Sequence, residues 1–313
     1  MGSILHKANL TAPTGRPPAA VELSPEGVLA ASLPAARSRR GASAAGQGWV
    51  YAFVPLADGV LVPSLEAPNL RSPEAVASAV RSALSEVATR NRAVTVVLPD
   101  ALVRVFVLDF ESLPAKPSEA VSVVRFRLRK MVPFDVESAG VSYQVLAQSE
   151  SEYKVLAAVI PGPILAEYEA AVRDAGYEPG AVLSSSLAAL EAVDSMSGVL
   201  AANLGAYSIT TTVTSGQDLL LYRTLDLPPD PASRAAEIAR SIAVAAAYFE
   251  DKLGALPQQL YYAGIQDPAE FAAAIGNPDL SVVEWAERPS DGVLTSLPQT
   301  SFAGVRGALA GAS

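Results

Sequence analysis

The chain contains 313 residues, of which half are hydrophobic and 18% are charged. This length predicts roughly two domains of about 150 residues each, and the apolar content excludes a disordered chain. The formal net charge of −9 disfavours nucleic-acid binding, because contact with a phosphate backbone requires a surplus of Lys and Arg. The sequence has no cysteine, and its only histidine is His6. Thiol nucleophiles, disulfides and metal centres built from cysteines or several histidines are therefore excluded.

No segment of the sequence is typical of a membrane span or of a secretory signal. The longest apolar run inside a predicted helix, Ile242–Phe249, is far shorter than the ~20 residues that cross a bilayer. The N-terminus has no apolar core after a basic start. We therefore expect a cytoplasmic protein in which residues 1–18 form a flexible leader, since this stretch is rich in Pro and Gly.

Residues 19–93 are predicted to begin with a β-hairpin and to continue into a helix. The turn sequence Ser24–Gly27 lies between two short apolar runs, and a third strand follows a polar, locally basic loop. Pro73 is typical of the first position of a helix, with Ser72 as its N-cap. The three predicted strands are Ala19–Leu23, Val28–Ser32 and Trp49–Pro55.

Residues 94–176 are predicted to form a continuous unit with the order strand, strand, helix, strand, strand, helix. Pro133 follows the end of the first helix, and Gly176 is a C-cap signal for the second. The predicted elements are Val94–Pro99, Val103–Phe110, Pro117–Met131, Ser142–Ala147, Tyr153–Ile160 and Ile164–Ala175.

Residues 177–313 are predicted to contain a second β-meander followed by a long helix. The order of a meander, a helix and a further strand repeats that of the first part of the chain, without visible repetition of sequence. This echo is what a two-lobed, actin-like nucleotide fold would produce. The predicted elements are helix Ser186–Val193, strands Val199–Leu204, Ser208–Val213 and Leu219–Leu225, helix Pro231–Lys252, strand Gln259–Ala263, helix Pro268–Ile275, strand Ser281–Trp285 and helix Phe302–Leu309.

Three sequence stretches resemble the PilM family of type IV pilus assembly proteins. Members of that family carry a pattern of Leu-Pro-Asp, a strand, and then a basic helix that ends in Pro-Phe. The match is specific in residues 94–135 and architectural over about 19–285. The stretches that carry it are Val96–Asp100, Val103–Phe110 and Arg125–Asp135.

The resemblance implies an α/β chain with α+β subdomains: an actin-like, two-lobed, ribonuclease-H-like fold with an inserted subdomain. Residues 19–93 would form the first lobe, 94–176 the inserted subdomain and 177–313 the second lobe. The implied function is a cytosolic scaffold of a type IV pilus assembly complex at the inner membrane. It would bind the cytoplasmic tail of a PilN-like bitopic protein in a groove beside the inserted subdomain.

Other consequences of the resemblance concern partners and alternatives. The pilus motor ATPases would be a second partner, the membrane would be reached only through the PilN-like protein, and an oligomer is compatible with the pattern. The cytoplasmic domain of the type II secretion protein GspL has a related fold, so a platform role in secretion is one alternative. An active actin-like ATPase is the other.

The resemblance also indicates where ATP and Mg²⁺ would bind, and the sequence departs from the expected loops there. Actin-like folds cradle phosphate with two Asp-x-Gly hairpins, in which the acid holds the hydrated metal. In the first hairpin Glu22 takes the acid position, Ser24 replaces the glycine, and Pro25 has no N–H to donate. In the second hairpin Asn203 replaces the acid, whereas Gly205 is retained.

The remaining nucleotide contacts implied by the resemblance are weaker. The adenine-side loop retains one glycine, Gly264, and the pair Glu237 and Arg240 lies where related proteins touch base and ribose. The same pair is also typical of an ordinary surface ion pair one helical turn apart. We therefore expect a degenerate nucleotide site, with no catalytic residues, no metal and no cofactor, and with ATP/Mg²⁺ as the alternative.

One concentrated basic run stands out in the inserted subdomain. Arg125, Arg127, Arg129 and Lys130 lie on or next to the predicted helix, from which Met131 is expected to turn inward. A solvated helix face is one interpretation. Contact with the anionic inner leaflet or with an acidic partner is the other.

Overall fold

The computed structural model describes residues 16–33, 49–87, 91–149, 151–193, 197–216, 218–286 and 301–310. Residues 1–15 of the expected leader and the basic loop at 37–48 lie outside the described residues. Arg16, at the end of the expected leader, is buried and forms an ion pair with Glu191. Within the described part of the chain, no helix has the length and apolar character needed to cross a membrane.

The described residues form thirteen strands and seven α-helices. The strands are β1 Ala19–Ser24, β2 Gly27–Ser32, β3 Val50–Pro55, β4 Ala93–Leu98, β5 Arg104–Phe110, β6 Gly140–Gln148, β7 Tyr153–Ile160, β8 Glu178–Ser184, β9 Gly198–Leu204, β10 Ser208–Ser215, β11 Asp218–Asp226, β12 Gln259–Gly264 and β13 Ser281–Glu284. The helices are α1 Pro73–Glu86, α2 Pro117–Leu128, α3 Gly162–Asp174, α4 Ser185–Leu190, α5 Pro231–Leu253, α6 Pro268–Ile275 and α7 Ala303–Ala310.

Two five-stranded sheets have the same topology, which confirms the predicted repetition of element order in the two parts of the chain. The first sheet has the order β3-β2-β1-β4-β8, and the second has the order β11-β10-β9-β12-β13. In each sheet three antiparallel strands precede two parallel ones, and a helix, α1 or α5, connects the two sets. Each sheet has its own apolar core, so the chain has two lobes.

The structure differs from the expected boundaries of the inserted subdomain. β4 pairs in parallel with β1, and β8 pairs in parallel with β4, so both strands belong to the first lobe. The insertion is therefore residues 99–177, whose three-stranded sheet has the order β5-β7-β6. The expected boundaries at 94 and 176 follow the order of elements along the chain. Strand pairing instead places β4 in the first lobe.

The first lobe also contains two elements, β8 and α7, from the range 177–313 that was expected to form the second lobe. β8 was not predicted, because Pro179 and Gly180 weaken the strand pattern of a short edge strand. Near the C-terminus, α7 packs against α4, β1, β2 and β4. The first lobe is therefore assembled from both ends of the sequence.

The longest helix illustrates how local signals set the element bounds. Asp230 caps the start of α5, where its carboxylate accepts a hydrogen bond from the Ser233 N–H at 2.9 Å, and Pro231 occupies the first turn. Gly254 ends the helix in the left-handed conformation, with φ of 69°. The buried stripe of α5 contains Ile238, Ile242, Ala245 and Phe249, which recur at helical spacing.

Candidate functional site between the two lobes

A cleft lies where the carboxyl ends of the parallel strands of both sheets meet. In open α/β sheets, side chains that follow these strand ends converge on one crevice. The cleft has a cavity volume of about 70 Å³, against roughly 300–1,000 Å³ for pockets that hold small molecules. Its walls are the β1–β2 turn, the turn after β4, Ser185, the β9–β10 turn and the end of β12.

Asp100 is the centre of a buried hydrogen-bond network that joins the lobes. It lies in a short 3₁₀ turn after β4 and is 5% exposed. Its carboxylate accepts hydrogen bonds from the Ser186 N–H at 2.9 Å and from the Ser186 hydroxyl. From the second lobe, the Asn203 Nδ2 and the Tyr222 hydroxyl each donate to it at 3.1 Å. The carboxylate is therefore held by neutral donors from both sides of the cleft.

Glu22 is the second acid in the cleft, and one of its oxygens has a side-chain partner. The Ser185 hydroxyl donates to Glu22 Oε1 at 2.6 Å and accepts from Asn203 Nδ2 at 3.1 Å. The buried Oε2 has no hydrogen bond of standard geometry among the described residues, and the Val305 backbone N–H of α7 is the donor that lies towards the carboxylate and lowers its pKa. A Cβ on Gly304 would lie 2.6 Å from this oxygen, so the start of α7 covers it.

Burial shifts the acids of this network towards their protonated forms. Removal from water raises the pKa of Glu22 to about 7, the Ser185 hydrogen bond opposes that rise, and the charge of Asp100 adds to it. Burial likewise raises the pKa of Asp100, against hydrogen bonds from Ser186. The pKa of Tyr222 is raised well above its usual range by burial and by Asp100. Burial therefore favours the protonated form of both carboxyl groups in the folded chain.

The described lining of the cleft offers carboxylates but no cationic side chain to a triphosphate. Glu22, Glu26 and Asp100 line the cleft, and no Lys, Arg or His is among its described lining residues. Phosphates need cationic or N–H donors, whereas Pro25 supplies none and the Asn203 amide is engaged with Asp100. Within the described ranges, no group of three His, Cys, Asp or Glu side chains could hold a metal ion.

Five of the seven predicted site residues line the cleft. Ser24 turns its hydroxyl to the Gly27 carbonyl at 3.2 Å, and Gly264 is required because a Cβ there would lie 2.5 Å from the Tyr262 hydroxyl. The predicted residues that line the cleft are Glu22, Ser24, Asn203, Gly205 and Gly264.

The predicted base and ribose contacts are not in the cleft lining. Glu237 and Arg240 form an ion pair with each other on α5, with an N–O distance of 2.5 Å and the Arg240 side chain 67% exposed. Arg234, one turn earlier on α5, reaches the β9–β10 turn. Its guanidinium donates to the carbonyls of Gly205 at 2.9 Å and Ala206 at 2.8 Å.

Asp100, Ser185 and Tyr222 are site residues that sequence reasoning missed. The sequence patterns gave no site role to Asp100 or to the serines at 184–186. Their position directly after the buried strands β4 and β8 was the available signal, once β4 is recognised as parallel to β1. Tyr222 lies in mid-strand and carried no such signal.

Comparison with solved structures identifies the fold. The structure of a PilM–PilN type IV pilus biogenesis complex superimposes with a TM-score of 0.67 and 19% sequence identity, covering 94% of this chain and 98% of that chain. A Bacteroides thetaiotaomicron protein with an actin-like ATPase fold and unknown function gives a TM-score of 0.50 at 11% identity, over 85% and 90% of the two chains. The cytoplasmic domain of EpsL, an inner-membrane component of the Vibrio cholerae type II secretion system, gives 0.49 at 16% identity, over 88% and 90%.

The first two likenesses confirm the predicted fold class. No protein-family model and no curated protein matches the chain. The chain has a PilM-like, actin-like fold of the α/β class, with two lobes and an inserted subdomain.

Proposed function

We propose that this protein is a cytosolic docking scaffold of a type IV pilus assembly complex, which binds the cytoplasmic tail of a PilN-like membrane protein. The observation that supports this most is the likeness, over nearly the full length of both chains, to the structure of a PilM–PilN complex. The partner would anchor the scaffold at the inner membrane. The pilus motor ATPases are the second partner in this proposal.

A groove between the first lobe and the inserted subdomain is suited to hold the tail. We call it the docking groove, and its cavity volume is about 240 Å³. Glu167 of α3 fixes its geometry, because its carboxylate accepts hydrogen bonds from the backbone N–H groups of Asn69 at 2.9 Å and Leu70 at 2.7 Å. The groove is lined by Leu65, Glu66, Ala67, Pro68, Pro161, Pro163, Ile164 and Glu167.

The lining of the docking groove indicates the chemistry of the tail. Its apolar side chains would accept small or branched apolar residues of an extended segment, whereas the exposed Glu66 would favour a basic residue. A short cytoplasmic tail of a bitopic protein commonly carries basic residues, because cytoplasmic flanks are rich in Lys and Arg. The charge of the groove is therefore complementary to the proposed tail.

The docking proposal is tested by titrating the full chain with synthetic tail peptides of PilN-like proteins, followed by calorimetry or fluorescence anisotropy. Leu65→Asp places a charge in the apolar wall of the groove and is expected to weaken binding about tenfold or more, since burying a leucine contributes roughly 1.5–3 kcal/mol. The matched control is Leu256→Asp, because Leu256 is 64% exposed and does not line the groove.

Two outcomes would contradict the docking proposal. If no PilN-type tail binds the wild-type chain, the assignment to pilus assembly fails. If a tail binds but Leu65→Asp and Leu256→Asp weaken it equally, the tail occupies another surface.

We further propose that the cleft between the lobes neither binds nor hydrolyses ATP. The acidic lining, the engaged Asn203 amide and the small cavity support this. Calorimetric titration with ATP, with and without Mg²⁺, is expected to give no heat of binding at micromolar nucleotide. Micromolar binding with turnover would establish the alternative, an active actin-like ATPase.

A further inference from the structure

A compact group of exposed apolar and cationic side chains ends α2 on the inserted subdomain. Phe126 is 68% exposed and Met131 is 40% exposed. Arg127 and Lys130, which lie beside them, are exposed and form no ion pair within the described residues. We call these four residues the α2 patch.

The other two cations of the basic run have structural partners. The Arg125 guanidinium donates to the backbone carbonyls of Val136 and, at 3.0 Å, Ala139, so it holds the loop after α2. Arg129 forms an ion pair with Glu137, and its guanidinium lies 5.6 Å from the Phe126 ring centroid. The run therefore divides into two cations that stabilise the fold and two that face solvent.

The exposure of Met131 corrects the sequence-based expectation. The predicted helix ran to Met131 and turned this residue inward, whereas α2 ends at Leu128 and a turn follows in which the Met131 N–H donates to the Leu128 carbonyl. Val124 and Leu128 are buried, whereas the large apolar side chain of Met131 is left in solvent, five residues after Phe126.

The acids close to the α2 patch are engaged in local contacts. Glu137 is paired with Arg129. Asp135 accepts from the Ser138 hydroxyl at 2.8 Å and from the Ser138 and Glu137 N–H groups, and these bonds lower its pKa. The positive charges of Arg127 and Lys130 therefore face solvent on a chain whose overall charge is −9.

We propose that the α2 patch contacts an anionic phospholipid surface. Aromatic and other apolar side chains enter the headgroup region, and Lys and Arg attract anionic lipids. The four side chains are exposed at the end of a helix, and a flat anionic surface matches such a site better than an extended acidic peptide, which needs a groove or a strand edge. The membrane contact adds to the one that the partner provides.

The loop after α2 connects the helix that carries the α2 patch to the docking groove, and this step rests on the proposed function. A Cβ on Gly162, the first residue of α3, would lie 2.0 Å from the Ser138 carbonyl, so the loop that carries Glu137 packs against the start of α3. Pro161 and Pro163 line the groove on either side of Gly162. A membrane-anchored tail in the groove would thus bring the patch towards the bilayer.

The contact is weak by itself, because it uses two cations. Each Lys or Arg close to an anionic surface contributes about a fivefold gain in affinity. A weak contact of this kind orients a protein that a second interaction already anchors, in line with the need for two signals in stable membrane attachment.

The test is cosedimentation of the full chain with vesicles at low ionic strength, comparing phosphatidylcholine vesicles with vesicles rich in phosphatidylglycerol. We expect binding only to the phosphatidylglycerol vesicles. Arg127→Gln with Lys130→Gln is expected to weaken binding about 30-fold, and Phe126→Ser is expected to weaken it separately. The control pair Lys116→Gln with Lys154→Gln removes the same charge from exposed positions outside the α2 patch and is expected to leave binding unchanged.

Each contrary result has a clear meaning. Failure of the wild-type chain to bind phosphatidylglycerol vesicles overturns the proposal, as does an equal loss in the patch and control pairs. If the patch variants bind vesicles normally but lose affinity for an acidic tail peptide, the patch serves a protein partner. Because the vesicle assay contains no tail peptide, its result is independent of the docking proposal.

Discussion

At the residue scale, burial raises the pKa of both acids in the cleft. Glu22 and Asp100 lie near each other without a cationic side chain among the described lining residues. A buried carboxylate without a cation is costly, and protonation is the least costly relief. The hydroxyl and amide donors of Ser185 and Asn203 then complete the network as neutral groups.

At the residue scale we predict that Glu22→Gln changes how stability depends on pH. Burial raises the pKa of folded Glu22 to about 7, from 4.5 when unfolded. The folded chain therefore holds a proton that the unfolded chain has released, so this contribution is complete below pH 4.5 and is lost as pH rises through 7. The glutamine of the variant is neutral at every pH. The free energy of unfolding of the variant should therefore lack the change of up to about 3 kcal/mol that Glu22 causes between low and high pH.

The measurement for Glu22→Gln is urea denaturation from pH 5 to pH 8. Glu119→Gln, which removes an exposed carboxylate from the first turn of α2, is the control. Parallel stability curves for wild type and Glu22→Gln would show that Glu22 is ionised in the folded chain throughout this range.

At the scale of elements, close approach between helices completes the first lobe. α7 packs on α4 with Gly307 at the contact, where an added Cβ would lie 1.7 Å from the Ala188 carbonyl oxygen. Gly304, one turn earlier, leaves room for the Glu22 carboxylate in the same way. The glycines of α7 thus serve helix packing and cover the buried acid, although glycine disfavours a helix by itself.

We predict that Gly307→Ala lowers the free energy of unfolding by about 2 kcal/mol, because overpacking against a backbone carbonyl outweighs the gain in helix propensity. Gly205→Ala is the matched control, since the nearest atom to its Cβ would be the Ser208 carbonyl oxygen at an ordinary 3.7 Å. Urea denaturation of both variants checks this prediction, and equal stability of the two would contradict it.

At the scale of the whole molecule, the two lobes are joined by apolar packing, an ion pair and hydrogen bonds. Leu219 and Tyr222 of β11 pack against the core of the first lobe. Arg104 of β5 lies 3.7 Å from Asp226 of β11. With the hydrogen bond from Asn203 to Asp100, these contacts connect the second lobe to both the first lobe and the inserted subdomain.

We predict that Asn203→Asp destabilises the contact between the two lobes. The new carboxylate would replace an amide donor that lies 3.1 Å from Asp100 Oδ2, which turns a hydrogen bond into a repulsion between buried acids. The expected loss of stability is about 3 kcal/mol and grows as pH rises, because protonation relieves the repulsion at low pH.

The control for that variant is Asn203→Ala, which removes the donor without adding charge and should cost roughly 1–3 kcal/mol at any pH. Thermal denaturation of both variants at pH 5 and pH 8 separates the two effects. Equal stability of Asn203→Asp and Asn203→Ala at pH 8 would mean that the new acid is neutral there.

Local sequence patterns were sufficient for most helices and strands. The predicted helix Pro231–Lys252 agrees closely with α5, and the turn at Ser24–Gly27 predicted the first hairpin. The edge strand β8 was missed because Pro179 and Gly180 obscure its pattern. Turns and periodicity can be predicted because they depend on a few neighbouring residues in the sequence. A short edge strand is harder to predict because it is stabilised mainly by the strand beside it.

The sequence alone excluded thiol and multi-histidine chemistry and indicated the two-lobed fold, because these depend on residue types and on the order of elements along the chain. The resemblance to the PilM family pointed to Glu22, Ser24, Asn203, Gly205 and Gly264. Only the tertiary structure decided which strands belong to which lobe and which groups share the cleft. Asp100 and Tyr222, 122 residues apart, meet only because parallel strand ends of the first sheet face the second. Burial at that meeting point sets the pKa of the cleft acids, and burial is a property of the folded chain.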